Sequence, residues 1–288
     1  MTSGGWPWSG LGIRARTAAF LRGPEIRPDR IRRYVESMRD VPRPHMRAIA
    51  RSTVCVVIPC YRHEAFVETM FASLVRQTLI PDEIVFVVDG SPDDTAAVLF
   101  SLVANAPQPL RDRCRILESR QNIGQAASLN RAIAAATSDL VMVLNDDDVL
   151  MRDAVEVARA LFETHPDVGL IGAHSVHFGS DDALEAAPNA IASYTKGALP
   201  GLAIHRPADV RHYRRYNDLN MTHSGSCFLR IVWATVGGYE PDRRKRLVPF
   251  SDRDFQLRVN ALFPVGVSYD VPFSFWRADG SVDHGINS

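Results

Sequence analysis

The chain has no apolar stretch that approaches the length of a membrane-spanning helix, so no transmembrane segment is expected. It also has no apolar h-region near its start. Trp6 and Trp8 stand among glycines and Pro7, which is not the pattern of a secretory leader. Cysteine is scarce. Cys55, Cys60, Cys114 and Cys227 are scattered, and no pair has zinc-ligand spacing. Cys55 and Cys60 would begin and end one strand, too far apart to be bridged. Reduced thiols and a cytoplasmic setting are therefore expected. Net charge is absent too, with 33 basic against 33 acidic residues, and no nucleic-acid partner is expected. Internal repeats and low-complexity tracts are missing, which excludes solenoid and fibrous architectures.

What is present is enough apolar material, 46% of 288 residues, for one large domain with an appended segment. Charge divides the chain at about residue 51. Residues 1–51 hold 11 arginines against 4 acidic residues, and the remainder holds 22 basic against 29 acidic residues. Residues 1–51 form a basic N-terminal extension and residues 52–288 an acidic body. A helix over Leu11 to Leu21 would be amphipathic and basic, a candidate for peripheral contact with a membrane face; a flexible or body-packed terminus is preferred. A second short helix is expected from Pro28 to Arg39.

The body is organised around Leu140-Val141-Met142-Val143-Leu144-Asn145-Asp146-Asp147-Asp148-Val149-Leu150. A short run of Val and Leu reads as a strand buried on both faces, and so as a central strand of a parallel sheet. Ligands of open α/β sheets bind outside the C-terminal strand ends. Three adjacent carboxylates at such an end repel one another unless a cation offsets them. Carboxylate oxygens suit magnesium or manganese. An acidic helix cap is the plainer alternative.

The other elements agree. Val54 to Pro59 reads as a strand ended by proline, followed by a helix to about Gln77. Ile84 to Val88 is a second buried strand, Cys114 to Glu118 a third, with helices around Ala96–Ala104 and Ala126–Ala136. Strands alternating with helices give a mostly parallel central sheet flanked by helices, an α/β fold, with Asp89 and Asp147 on one rim. In the second half a helix is expected over Arg152–Thr164, strands at Val168–Ile171, His174–Phe178, Ser224–Leu229 and Val265–Tyr269, and helices after Ile231 and over Ser251–Leu262. Ser251 with Asp254 resembles a capping pair and places Asp252 in a first turn. His174 and His177 on one strand would face opposite ways, which is poor metal geometry. Residues 179–203 read as a long loop, a candidate substrate lid.

Five segments together resemble family 2 glycosyltransferases, inverting enzymes of the GT-A fold. They are Val57-Ile58-Pro59-Cys60-Tyr61-Arg62-His63-Glu64, Val88-Asp89-Gly90-Ser91, Asn122-Ile123-Gly124, Asn145-Asp146-Asp147-Asp148 and Ser251-Asp252-Arg253-Asp254-Phe255. Gly237-Gly238-Tyr239 is similar to the turn before the last motif, and the resemblance runs from about residue 54 to 281. It implies a nucleotide-sugar donor, a saccharide or glycolipid acceptor and a divalent metal, Mg2+ or Mn2+. Pro59, Tyr61 and Glu64 would line the base pocket, with Asn122 and Gly124 in the nucleotide site. Asp89 would bond the base, which favours uracil or thymine. Asp146 would hold the ribose, Asp147 with Asp148 the metal, and Asp252 would be the catalytic base. His223 and Arg277 are candidate acceptor or phosphate contacts.

The sequence departs from the family pattern in places. Arg62 stands where Asn is usual, Val88 where a second acidic residue is usual, Asn145 where Asp is common and Ser251 where Glu is usual. Read from Asn145, the motif moves the ribose contact to Asn145. Arg277-Ala278-Asp279-Gly280-Ser281 resembles a family tail that often has His at the position of Asp279. No motif of processive polymer synthases is apparent, so addition of a single sugar is expected. Each site residue has a plainer alternative: a turn former for Asp89, a cap for Asp147, a dipole-favoured first-turn carboxylate for Asp252. Asp254 competes with Asp252 for the base. The Arg211-Arg214-Arg215 cluster is either a solvated face or a contact for an anionic acceptor. Two rivals stay open: a sugar nucleotidyltransferase, weakened because no glycine-rich phosphate loop follows the first strand, and a non-catalytic scaffold of the same fold.

Overall fold

The computed structural model describes residues 14–15, 28–44, 46, 51–174, 176–179, 199–212, 219 and 221–277. The chain opens with β1 (Arg14–Ala15) and α1 (Pro28–Ser37). The body follows as β2 (Val54–Cys60), α2 (Val67–Val75), β3 (Glu83–Asp89), α3 (Thr95–Asn105), α4 (Gln108–Arg111), β4 (Cys114–Ser119), α5 (Gln125–Ala135), β5 (Leu140–Val143), β6 (Val149–Leu150) and α6 (Ala154–Thr164). The second half contributes β7 (Leu170–Ala173), β8 (Val176–Phe178), β9 (Ala203–His205), a 3-10 turn at Asp209–His212, β10 (Cys227–Leu229), α7 (Arg230–Thr235), α8 (Ser251–Asn260), β11 (Val265–Ser268) and β12 (Ser274–Arg277).

An eight-stranded sheet in the order β4-β3-β2-β5-β10-β7-β11-β9 carries the fold. Its first four strands are parallel, and every residue of β2 and β5 is buried, as the unbroken Val and Leu runs predict. Right-handed crossovers put α2 and α3 on one face. The connection from β4 runs back past β3 and β2 to β5, which sends α5 to the other face. Strand order therefore reverses between β2 and β5, and a crevice opens at their C-terminal ends.

β10 runs antiparallel between β5 and β7, with Cys227 opposite Met142. Its reversed direction brings the residues before it, Thr222–Ser226, to the rim where β5 ends. A four-stranded sheet, β1-β8-β12-β6, lies beside the main one. Phe275 of β12 pairs with Val149, so Arg277 lies beyond the pair, level with the acidic turn.

Several expectations are revised. β2 does not end at Pro59, because Pro59 and Cys60 pair with Val87 and Val88. The carbonyl of Val57 accepts the Leu144 N–H, so residues of its parity bond toward β5. Pro59 shares that parity, and β5 ends at Val143, so its missing N–H costs no ladder bond. His174 precedes β8 rather than lying on it. Its ring meets that of Tyr269 edge-on at 4.8 Å, and His177 packs on Trp276 at 4.6 Å. Arg14–Ala15 pair with β8 as strand, not helix; the rest of 11–21 lies outside the described residues, as do 180–198, the Arg214 and Arg215 of the basic cluster, and Asp279. Within 1–51, α1 packs on the body: Ile31 is buried and Arg30 Nη1 donates to the Arg246 carbonyl at 2.7 Å. Among the described residues no helix is long and apolar enough to cross a membrane.

The last helix departs most from its sequence. α8 is polar, yet nine of its ten residues are buried. The cap position is Phe250, with no side-chain cap bond, so Ser251 and Asp254 do not form a capping pair. Asp254 instead accepts from Leu247 N–H at 2.6 Å and from Arg258 Nε at 2.8 Å. Arg258 continues to the carbonyls of Val236 and Gly238, both at 2.7 Å, which closes the open end of α7. Asp254→Ala would leave Arg258 buried beside no counter-charge. A loss of about 3–5 kcal/mol is expected in urea unfolding.

Candidate active site

The β2–α2 turn and the β3–α3 turn hold each other. Arg62 N–H donates to Ser91 Oγ at 2.8 Å, His63 N–H to Thr95 Oγ1 at 3.1 Å, and Asp94 N–H to Glu64 Oε2 at 2.8 Å. Asp93 ties the β3–α3 side together by accepting from the Ser91 and Thr95 hydroxyls. Burial would raise its carboxyl, but these bonds and backbone donors hold it below the usual carboxylate range. Arg62 sits at φ +60°, a region costly for a side chain with Cβ and better tolerated by Asn. Asn is what the family resemblance places there, so the departure at Arg62 carries strain that the bond to Ser91 helps to hold.

Asp89 ends β3 buried, and its two oxygens accept the N–H groups of Ile123 (2.8 Å) and Gly124 (2.9 Å). Its carboxylate thus fixes the Asn122–Gly124 turn, where Asn122 Oδ1 also accepts from Gly124. Gly90 makes the turns meet. It lies at φ +62°, and a Cβ there would stand 2.5 Å from the Gln121 carbonyl carbon. Gly90→Ala is expected to cost about 1–2 kcal/mol from backbone strain and a further ~1–3 from overpacking, read as a lowered urea midpoint.

The acidic turn separates its three carboxylates. Asp146 accepts from Tyr61 N–H at 2.9 Å and meets His63 Nδ1 at 2.7 Å. Burial would lower the His63 pKa, but the bond and charge of Asp146, with Asp147 and Asp148 behind it, push it up to about 8. Asp148 is wholly buried. It accepts from Ser224 Oγ, from Asn145 Nδ2 at 3.1 Å and from Arg277 N–H at 3.0 Å. Its pKa is pushed up to about 8 by burial and by Asp147. Asp147 differs from both. It is 3% exposed, its Oδ2 has no hydrogen-bond partner among the described residues, and burial with the charge of Asp146 pushes its pKa up to about 6.

One ligand atom each from His63, Asp146 and Asp147 lies within 4.8 Å of the others. A buried carboxylate oxygen without a donor, beside a second carboxylate and an imidazole, fits a hard divalent cation. Asp148, expected to join Asp147, stands outside this group: its oxygens face Ser224, Asn145 and Arg277. Asn145 is engaged as well, between Gln125 Nε2 at 3.2 Å and Asp148.

Arg277 closes the rim. Its Nε donates to the Asp147 carbonyl at 3.0 Å, and its guanidinium lies 4.4 Å from the Phe66 ring centre and 4.5 Å from that of Phe178. Held between two rings, the cation has little freedom left to lose. Across the crevice, Asp252 sits in the first turn of α8 with its side chain 27% exposed, while Asp254 is 0% exposed and held by Arg258. His223 Nε2 lies 3.1 Å from Tyr239 Oη. Burial lowers the His223 pKa, against the opposing charge of Asp252.

The structure therefore brings Pro59, Tyr61, Asp146, Asp147 and Arg277 to one crevice end, and gives Asp89, Asn122, Gly124 and Glu64 turn-holding bonds. His63, Ser91, Asp93 and Thr95 were not singled out from sequence. Ser91 and Asp93-Asp94-Thr95 carry a readable polar-turn pattern. His63 carries no signal, because its partner lies 83 positions away.

A doubly wound sheet with this acidic rim is the GT-A architecture. It is similar to S. aureus TarS in complex with UDP-GlcNAc, with TM-score 0.58 and 14% identity over 80% of this chain and 60% of that one. It is similar also to the mannosyltransferase PcManGT of Pyrobaculum calidifontis in complex with GDP-Man and Mn2+, with TM-score 0.56 and 18% identity over 86% and 64%. The profile of glycosyl transferase family 2 matches residues 55–232, and the chain belongs to that family. An uncharacterized glycosyltransferase of Nostoc sp. is 29% identical over 134 residues, 46% of this chain and 40% of that protein. The chain thus matches less than half of the Nostoc relative and under two thirds of either solved chain.

Proposed function

We propose that the protein transfers one sugar from a nucleotide diphosphate donor to an acceptor hydroxyl, with inversion at the anomeric carbon. The observation that carries this reading is the buried Oδ2 of Asp147 at the switch point of the sheet, which has no donor among the described residues. Asp147, with Asp146 and His63 beside it, would hold a divalent cation, whose chemistry is to offset the charge of the departing diphosphate. Pro59, Tyr61 and Glu64 flank the base, and Asp146 the ribose. Asp89 fixes the Asn122–Gly124 turn against the nucleotide, and each of its oxygens keeps a lone pair for a base N–H. That last contact favours a uridine or thymidine diphosphate donor.

Asp252 accepts the acceptor's hydroxyl proton as that oxygen attacks the anomeric carbon. The bond from that carbon to the diphosphate breaks on the opposite face, and the nucleoside diphosphate leaves. Arg277, already clamped between rings, lies ready to receive the developing negative charge without reorganising. Neutral His223, tied to Tyr239, borders the acceptor side.

The test is a titration of the full chain with a panel of sugar nucleotides, with and without manganese, followed by product analysis. Metal-dependent binding of one donor and release of a nucleoside diphosphate are expected. Release of pyrophosphate would instead indicate a nucleotidyltransferase, and binding of no donor a scaffold.

A further inference from the structure

Tyr239 is 1% exposed and is fixed at its backbone, its ring and its hydroxyl. Asn130 of α5 accepts its N–H and donates to its carbonyl, both at 2.8 Å. That approach needs Gly238, at φ +72°, where a Cβ would stand 2.7 Å from Asn130 Oδ1. The Tyr239 ring stacks on Phe255 of α8 at 4.3 Å and 20°. Among the described residues its Oη reaches only His223 Nε2, at 3.1 Å. His223 is fixed in turn, because its carbonyl accepts from Ser226 N–H at 3.0 Å and Oγ at 2.6 Å.

The protons of this pair can be placed. Burial and the charge of Asp252 hold the Tyr239 hydroxyl well above its usual pKa, so it keeps its proton. Burial lowers the His223 pKa, so the ring is neutral. A buried O–H without an acceptor is costly, and the acceptor in reach is Nε2. Tyr239 therefore donates, Nε2 accepts, and the ring proton sits on Nδ1. Nδ1 points away from Tyr239 and makes no hydrogen bond among the described residues.

Helix α8 puts this donor beside Asp252. Asp252, Phe255 and Gln256 stand at i, i+3 and i+4 and share one helix face. Phe255 meets Tyr239, and Gln256 Nε2 donates at 3.3 Å to the carbonyl of Thr222, next to His223. The face that carries Asp252 is thus the one packed against the pair, and the Asp252 charge acts on both rings. Among the described residues no hydrogen bond joins His223 to Asp252. A carboxylate and an N–H donor, side by side and unjoined, match two neighbouring hydroxyls.

We infer that His223 is an acceptor-binding residue and Tyr239 its positioning residue: Tyr239 fixes the tautomer in which His223 Nδ1–H donates to an acceptor hydroxyl adjacent to the one that gives its proton to Asp252. The acceptor class is a vicinal diol, as in a pyranoside ring. The inference rests on the transferase reading and deepens it.

The full chain, labelled with 15N-histidine, is studied by long-range 15N–1H NMR, with the His223 signals assigned from His223→Gln. A protonated Nδ1 and an unprotonated Nε2 are expected. Tyr239→Phe keeps the ring stack on Phe255 and should shift His223 toward the Nε2–H form. Turnover of the sugar-nucleotide panel is measured with water alone and with the methyl glycosides of glucose, galactose and mannose. Tyr239→Phe should lower kcat/KM for transfer to a glycoside by about tenfold more than it lowers donor hydrolysis, chiefly through the acceptor KM, as loss of one hydrogen bond does. In a His223→Gln background the same change should add less than about twofold. An Nε2–H tautomer in the wild type overturns the proposal. So do equal losses of transfer and hydrolysis in Tyr239→Phe, no loss of either, or hydrolysis without transfer to any glycoside. The expected tautomer with no turnover of any donor would overturn the transferase reading and leave the hold of Tyr239 on His223 standing.

Discussion

Asp147→Ala is expected to abolish metal-dependent donor binding and to lower kcat/KM by about 10²–10³, the range seen when one preorganised charge-stabilising group is removed. The expectation follows from the one buried oxygen on the rim that has no hydrogen-bond partner among the described residues. Asp146 has Tyr61 and His63, and Asp148 has Ser224, Asn145 and Arg277, so neither is available in the same way. The same geometry predicts an opposite effect on stability. A carboxyl whose pKa rises to about 6 on folding stabilises the fold when protonated, and that contribution is lost as pH rises through the folded value. At neutral pH without metal, Asp147 therefore opposes folding. Asp147→Asn should retain the fold and raise the melting midpoint by about 2–4 °C while losing activity. Calorimetry beside donor titration checks both. A variant that binds donor and metal as before would remove Asp147 from the ligand role.

Asp252→Asn is expected to keep donor and metal binding and to lower kcat by about 10²–10⁴, the usual contribution of a positioned general base. Exposure favours Asp252 over the other carboxylate of α8 for the proposed base. Asp252 reaches solvent in the first turn of α8, whereas Asp254 is enclosed and held by Arg258. Donor hydrolysis without acceptor separates the effects, since the mutation should slow transfer while leaving nucleotide affinity in place. Transfer at the wild-type rate would place the base elsewhere.

The residues that could be read from sequence were those whose neighbours in the chain are also their neighbours in space. Unbroken Val and Leu runs announced β2, β3 and β5, because a strand buried on both faces has no polar side to break the run. Gly90 and Gly124 announced turns, and both adopt positive φ. α8 misled in its cap and in its polarity. Its polar residues are satisfied by carbonyls and loops from Val236, Gly238, Thr222 and His205, which no local pattern reveals. Asp148 misled for the same reason: beside Asp147 in sequence it looks like a second ligand, yet the turn points it inward at residues from β10 and β12.

The sequence by itself determined the parallel half of the sheet, the rim on which the carboxylates stand and the order of the motifs along it. Hydrophobic periodicity and turn chemistry are local, and the handedness of βαβ crossovers does the rest. Only the tertiary structure decided which carboxylate stays free, that His63 faces Asp146 and that Arg277 is clamped between Phe66 and Phe178. Each of those depends on which hydrogen-bond donors the fold brings from far along the chain, and such donors leave no periodic trace.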